Sequence, residues 1–85
     1  MSNIDYSKLR SLTARHIIRA LEKDGFVLER QRGSHQQYRH SDGRQVTVSF
    51  HHLSDTYTLK ILRSMLEIQA RWTKEDIERL KLIEL

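Results

Sequence analysis

The chain changes its hydrophobic period at one glycine, and that change limits it to a mixed fold. Before Gly25, Ala14, Ile17, Ile18 and Leu21 recur at helical spacing behind Thr13, a good N-cap residue. A glycine placed after Lys23-Asp24 and followed by apolar Phe26 supplies the left-handed stop that ends a helix with a hydrophobic contact. From Phe26 onward the period is two, so a helix hands over to strands.

Three short strands are expected, over residues 26–31, 35–40 and 45–51. A three-residue loop, Ser41-Asp42-Gly43, pairs His40 with Arg44, Tyr38 with Val46 and Gln36 with Val48. That register sets Tyr38, Val46, Val48 and Phe50 on one face, whereas a two-residue Asp42-Gly43 loop would oppose polar and apolar groups. The same reasoning at Arg32-Gly33-Ser34 puts Phe26 and Leu28 on the core face, with Glu29 and Gln31 opposite. His35, Gln37, Arg39, Thr47, Ser49 and His51 then share the other face, with His35 opposite Ser49 and diagonal to His51.

After the polar loop HHLSDTYT, the residues Leu59, Leu62, Met65, Leu66 and Gln69 form a broad helical stripe. A short last helix starts at Thr73, where T-K-E-D reads as a capping box, with Trp72 as its anchor and Ile77, Leu80 and Ile83 pointing inward. The order predicts an α+β fold: one domain over residues 1–85, with helices on one face of a three-stranded antiparallel sheet and the other face open.

Eighty-five residues hold one modest core, so a functional site must lie on the surface. With no cysteine, thiolate zinc sites, disulfides and cysteine nucleophiles are excluded. No apolar run approaches the roughly 18 residues that span a bilayer, and MSNIDYSKLRSL lacks the apolar core of a signal peptide, so a cytoplasmic location is expected. The net charge is +4, and residues 1–44 carry all of the excess, nine Lys/Arg against five Asp/Glu. A basic half suits phosphate-bearing partners.

The stretch RQRGSHQQYRH, residues 30–40, concentrates the candidate chemistry. An imidazole, with an ordinary pKa of about 6.5, can take a proton from a ribose 2′-hydroxyl and return one to a leaving 5′-oxygen. Arg30, Arg32 and Arg39 could stabilise the charged phosphorane, and such cleavage needs no metal. From the residues alone the plainer reading, an exposed strand residue beside a turn, is favoured for His35. Gly33 lets a backbone approach a phosphate and Ser34 offers N–H and hydroxyl donors, or Gly33 simply makes the turn. His51 and His52 point to opposite faces of a strand and have no completing carboxylate or cysteine, so no metal site is expected. His16 reads as a helix-surface residue without a role, and Lys8, Arg10, Arg15 and Arg19 as a solvated basic surface.

The run LTARHIIRALEKDGFVLERQRGSHQQYRHSDGRQVTVSFH resembles the HicA family of mRNA interferase toxins of type II toxin–antitoxin pairs. The likeness extends to LRSML and the WTKEDIERL tail, and its specific part is G-S-H after an Arg-rich strand followed by Y-R-H-x-D-G-R. It implies a double-stranded-RNA-binding-domain-like α-β-β-β-α fold with an extra short C-terminal helix. It also implies a metal-independent endoribonuclease without cofactors, with His35 catalytic, that cleaves translated mRNA and is inhibited by a HicB-like antitoxin covering the open face. The residues expected to meet RNA are Arg30, Arg32, Gly33, Ser34, Gln37, Arg39, Ser49 and His51. Two positions depart from the family: Ser49 stands where many relatives have proline, and His16 where they have glutamate. A noncatalytic RNA-binding module of the same fold is the alternative, and a purely protein-binding adaptor would leave the Arg-rich hairpin unexplained.

Overall fold

The computed structural model describes residues 4–83. Helix α1 spans Ala14–Lys23, strands β1, β2 and β3 span Val27–Arg32, His35–Arg39 and Gln45–Ser49, α2 spans Leu59–Arg63 and α3 spans Lys74–Arg79. A 3-10 turn, Tyr6–Lys8, precedes α1, and a π-helical segment, Ser64–Gln69, continues α2. The sheet is antiparallel in the order β1-β2-β3, and the arrangement is the expected α+β, double-stranded-RNA-binding-domain-like one. Among the described residues no helix is long and apolar enough to cross a membrane.

Each boundary has a local cause. The Thr13 hydroxyl accepts from the His16 N–H, and the His16 ring accepts from the Thr13 N–H at 3.0 Å, a reciprocal capping box. His16 is exposed, as expected, but contrary to expectation it has a role: its Nδ1 does what a capping glutamate carboxylate would do. Backbone carbonyls of Leu53 and Asp55 accept from the Arg15 and Ala14 N–H groups, so the HHLSDT loop closes the same helix end. At the other end Gly25 adopts φ +98°, the Phe26 N–H donates to the Leu21 carbonyl and the Gly25 N–H to that of Glu22. This is the left-handed stop with its two return bonds.

A His16→Glu variant keeps the reciprocal bond and adds negative charge to the positive end of the helix dipole. We expect thermal unfolding to shift up by about 2–5 °C, from a gain of about 0.5–1 kcal/mol. An unchanged or lower midpoint in a thermal melt would refute this.

The sheet's inner face, Tyr38, Val46 and Val48, meets Ile17 and Leu21 of α1 and Leu62, Met65 and Leu66 from the second helical segment. Each of these large buried side chains contributes about 1.5–3 kcal/mol of burial. The β3 edge is covered: the Gln69 side-chain oxygen accepts from the Thr47 N–H at 2.8 Å. The π-helical segment, in which the Ala70 N–H reaches back five residues to Met65, brings Gln69 to that edge. The helices do not reach over β1, all six of whose residues are exposed.

Asp24, at the C-cap of α1, ties three distant parts together. Its carboxylate accepts from the Trp72 indole at 2.8 Å, Arg79 at 2.9 Å and Arg44 at 3.3 Å, while its backbone carbonyl meets the His40 ring at 2.8 Å. Arg44 also donates to the Ala70 carbonyl and lies 4.9 Å from the centroid of the Phe26 ring. Burial pushes the Asp24 carboxyl up, but hydrogen bonds from Trp72 and Arg79, with the charges of Arg44 and Arg79, outweigh it and hold the group below its ordinary value. Thr73 and Asp76 form the expected capping box, and Trp72 and Ile77 are buried as read.

Candidate functional site

The expected β2–β3 register is present: Tyr38 pairs with Val46, Gln36 with Val48 and His35 with Ser49, and Gly43 is left-handed at φ +100°. The β1–β2 hairpin differs from expectation. Arg32 pairs directly with His35 across a two-residue turn, Gly33-Ser34, with Gly33 at φ +54°. A bulge at Glu29 then separates Arg30, paired with Gln37, from Leu28, paired with Tyr38.

A single extra residue reverses the faces of everything on one side of it. Phe26 and Leu28 stay with the core face as read, although Leu28 is 45% exposed because no helix covers β1. Gln31 does not lie opposite them; it pairs with Gln36 on the core-facing side. Arg30 and Arg32 are turned to the open face, where two cross-strand rows form: Arg32, His35 and Ser49, then Arg30, Gln37 and Thr47.

Arg30, Arg32, His35, Gln37 and Thr47 line one shallow hollow of about 160 Å³. No carboxylate lines it, and among the described residues Arg30 and Arg32 form no ion pair, so their charge is available to an anion. The His35 ring is likewise exposed and makes no hydrogen bond within the described chain. The arrangement offers one proton-transfer group beside two unpaired guanidinium groups on an open surface.

The other expected residues divide. Ser49 is exposed beside His35, its cross-strand partner. Arg39 lies 3.9 Å from Glu29 at the bulge and lines a separate hollow with Val27 and His40. His51 does not share the His35 face, because β3 ends at Ser49 and the chain bends into a turn in which the Asp55 carboxylate accepts from the His51 and His52 N–H groups. It borders a third hollow, with Gly33, Ser34, Gln31, Gln36 and Phe50. A Cβ built on Gly33 meets nothing within 4 Å, so that glycine is required by its left-handed turn and not by crowding. Thr47 was legible as an open-face residue from its alternation with Ser49; Gln31 and Phe50 carried no signal. Among the described residues, no group of three or more His, Asp or Glu side chains is placed to hold a metal.

The family described as the HicA toxin of bacterial toxin–antitoxin systems matches residues 14–72, well over half of the chain. The chain belongs to the HicA toxin family. Both hairpins and the His35 hollow lie inside the matched span, whereas α3 lies beyond it, so the WTKEDIERL tail adds little to the family match. A HicA toxin is one half of a toxin–antitoxin pair, which gives this chain an antitoxin as partner. No curated protein matches the chain.

Proposed function

We propose that this HicA toxin is a metal-independent endoribonuclease that cleaves mRNA with His35, and that a HicB-like antitoxin silences it by covering the open sheet face. The observation that carries the reading is the bulge at Glu29, which turns Arg30 and Arg32 onto the face of His35 in a hollow free of carboxylates. A strand that spends an irregularity to place two arginines beside an exposed histidine has the parts for phosphoryl transfer.

The chemistry follows from those parts. The neutral imidazole accepts the proton of the ribose 2′-hydroxyl as that oxygen bonds to phosphorus. The phosphorane's charge is shared with the guanidinium groups of Arg30 and Arg32. The P–O5′ bond breaks, the imidazolium returns its proton to the departing 5′-oxygen, and the products carry a 2′,3′-cyclic phosphate and a 5′-hydroxyl. Because the nucleophile belongs to the substrate and the positive charge to arginine, no metal enters the balance.

Cleavage of a single-stranded RNA by purified toxin should proceed at the same rate in excess EDTA, with mass spectrometry showing cyclic phosphate ends. Loss of activity in EDTA that a divalent cation restores would overturn the metal-independent route. Retarded RNA with no products would favour a binding module instead.

A further inference from the structure

We propose that the hollow beside the Gly33-Ser34 turn, on the other side of the hairpin from His35, takes one splayed-out nucleobase of the RNA and sets sequence preference. The inference rests on the ribonuclease reading for its ligand class, but on different residues. The hollow measures about 260 Å³, against roughly 300–1,000 Å³ for pockets that hold larger ligands, and is lined by Gln31, Gly33, Ser34, Gln36, Phe50 and His51.

Its make-up fits a base and not a phosphate. It has no arginine or lysine; instead two carboxamides, paired across β1 and β2, stand beside two rings. The Gln36 oxygen accepts from the Tyr38 hydroxyl at 2.7 Å, which fixes that side chain and leaves its NH2 free to donate. Gln31 has no side-chain hydrogen bond among the described residues, so both its donor and its acceptor are open. Phe50 is half-buried against the core, and its N–H donates to the Ser34 carbonyl at 2.9 Å, which ties the backbone that carries the ring to the turn. Carboxamides that read a base edge and rings that stack on its face are the means by which single-stranded RNA is read.

The two hollows meet at the hairpin tip. Ser34 lines one and its neighbour His35 the other, and nothing crowds Gly33 on its outer side. A strand crossing this tip can leave a phosphate with His35, Arg30 and Arg32 and turn an adjacent base into the amide-lined hollow. Alternation along β1 puts the arginines on one side and Gln31 on the other, and the bulge decides that it is the arginines that join His35.

Binding of labelled single-stranded RNA hexamers, one per base type, to the inert His35→Ala protein tests this without requiring cleavage. We expect the protein to rank the four hexamers, and Gln31→Ala and Phe50→Leu each to flatten that ranking. Phe50→Leu should weaken the preferred hexamer at least about fivefold, the loss of one stacked base. The salt dependence should stay unchanged, since the phosphate contacts remain. Binding with a ranking that both variants preserve would overturn the base site while leaving the ribonuclease reading intact. No binding of any hexamer would overturn both.

Discussion

His35→Ala should lower RNA cleavage by about 10²–10⁴-fold, the usual contribution of a positioned general acid–base group, and abolish growth arrest on expression. Its fold should be unaffected. The ring is exposed and bonded to nothing within the described chain, so the melting temperature should stay within about 2–3 °C of the parent. That combination separates a chemical role from a structural one. By contrast Arg32→Gln, which removes charge but not the nucleophile or base, should retain more activity than His35→Ala, and its loss should deepen as salt is lowered. A His35→Ala protein that cleaves at the parent's rate would remove the catalytic assignment.

Asp24→Ala should be strongly destabilising although it lies away from the hollow. It strands the indole N–H of Trp72, which is 3% exposed, and takes from Arg44, packed on Phe26, one of its two carboxylates, leaving it Asp42 and the Ala70 carbonyl. Leaving a buried donor without its acceptor and removing one of two carboxylates from a largely buried guanidinium costs about 2–4 kcal/mol, with the half-exposed Arg79 adding little. For a domain of this size that is about 10–25 °C in the midpoint of a thermal melt. Asp42→Ala, which removes another carboxylate bonded to Arg44 but one on the surface, should lower the midpoint far less. The difference should also depend on pH in a definite direction. The folded Asp24 carboxyl titrates below its ordinary 3.8, so on acidification the unfolded chain takes up the proton first. Its contribution is complete above about pH 4 and fades as pH falls further, and there the parent and Asp24→Ala should converge. A melt of Asp24→Ala within about 3 °C of the parent at neutral pH would show that the three-way tie is dispensable.

The β2–β3 half of the sheet was legible because Tyr38, Val46 and Val48 alternate with polar residues, and only one register buries all three. The helix ends were legible because Thr13, Gly25 and Thr73 act through neighbours in sequence. β1 was not, because VLERQR is exposed at every position and gives the pleat no apolar side to obey. Its bulge at Glu29 left no periodic trace, and the faces of Gln31 and both arginines went with it. His51 was misplaced for a related reason: nothing in S-F-H-H shows that the strand stops at Ser49 and that Asp55 gathers the next two N–H groups. The Asp24 hub depends on partners 20 to 55 residues away, which local patterns cannot reveal. The family motif supplied what the alternation could not, by marking G-S-H as the part of the hairpin to watch.

The central claim is that His35 acts on a 2′-hydroxyl supplied by the RNA. It is tested most directly by cleaving one defined single-stranded RNA and a copy carrying a single 2′-O-methyl group at the mapped cut. The account predicts that the methylated position is left intact while unmodified sites elsewhere in the same molecule are still cut. Cleavage at the blocked position, giving a 3′-hydroxyl and a 5′-phosphate, would mean that water is the nucleophile and that the chemistry assigned to His35 is wrong.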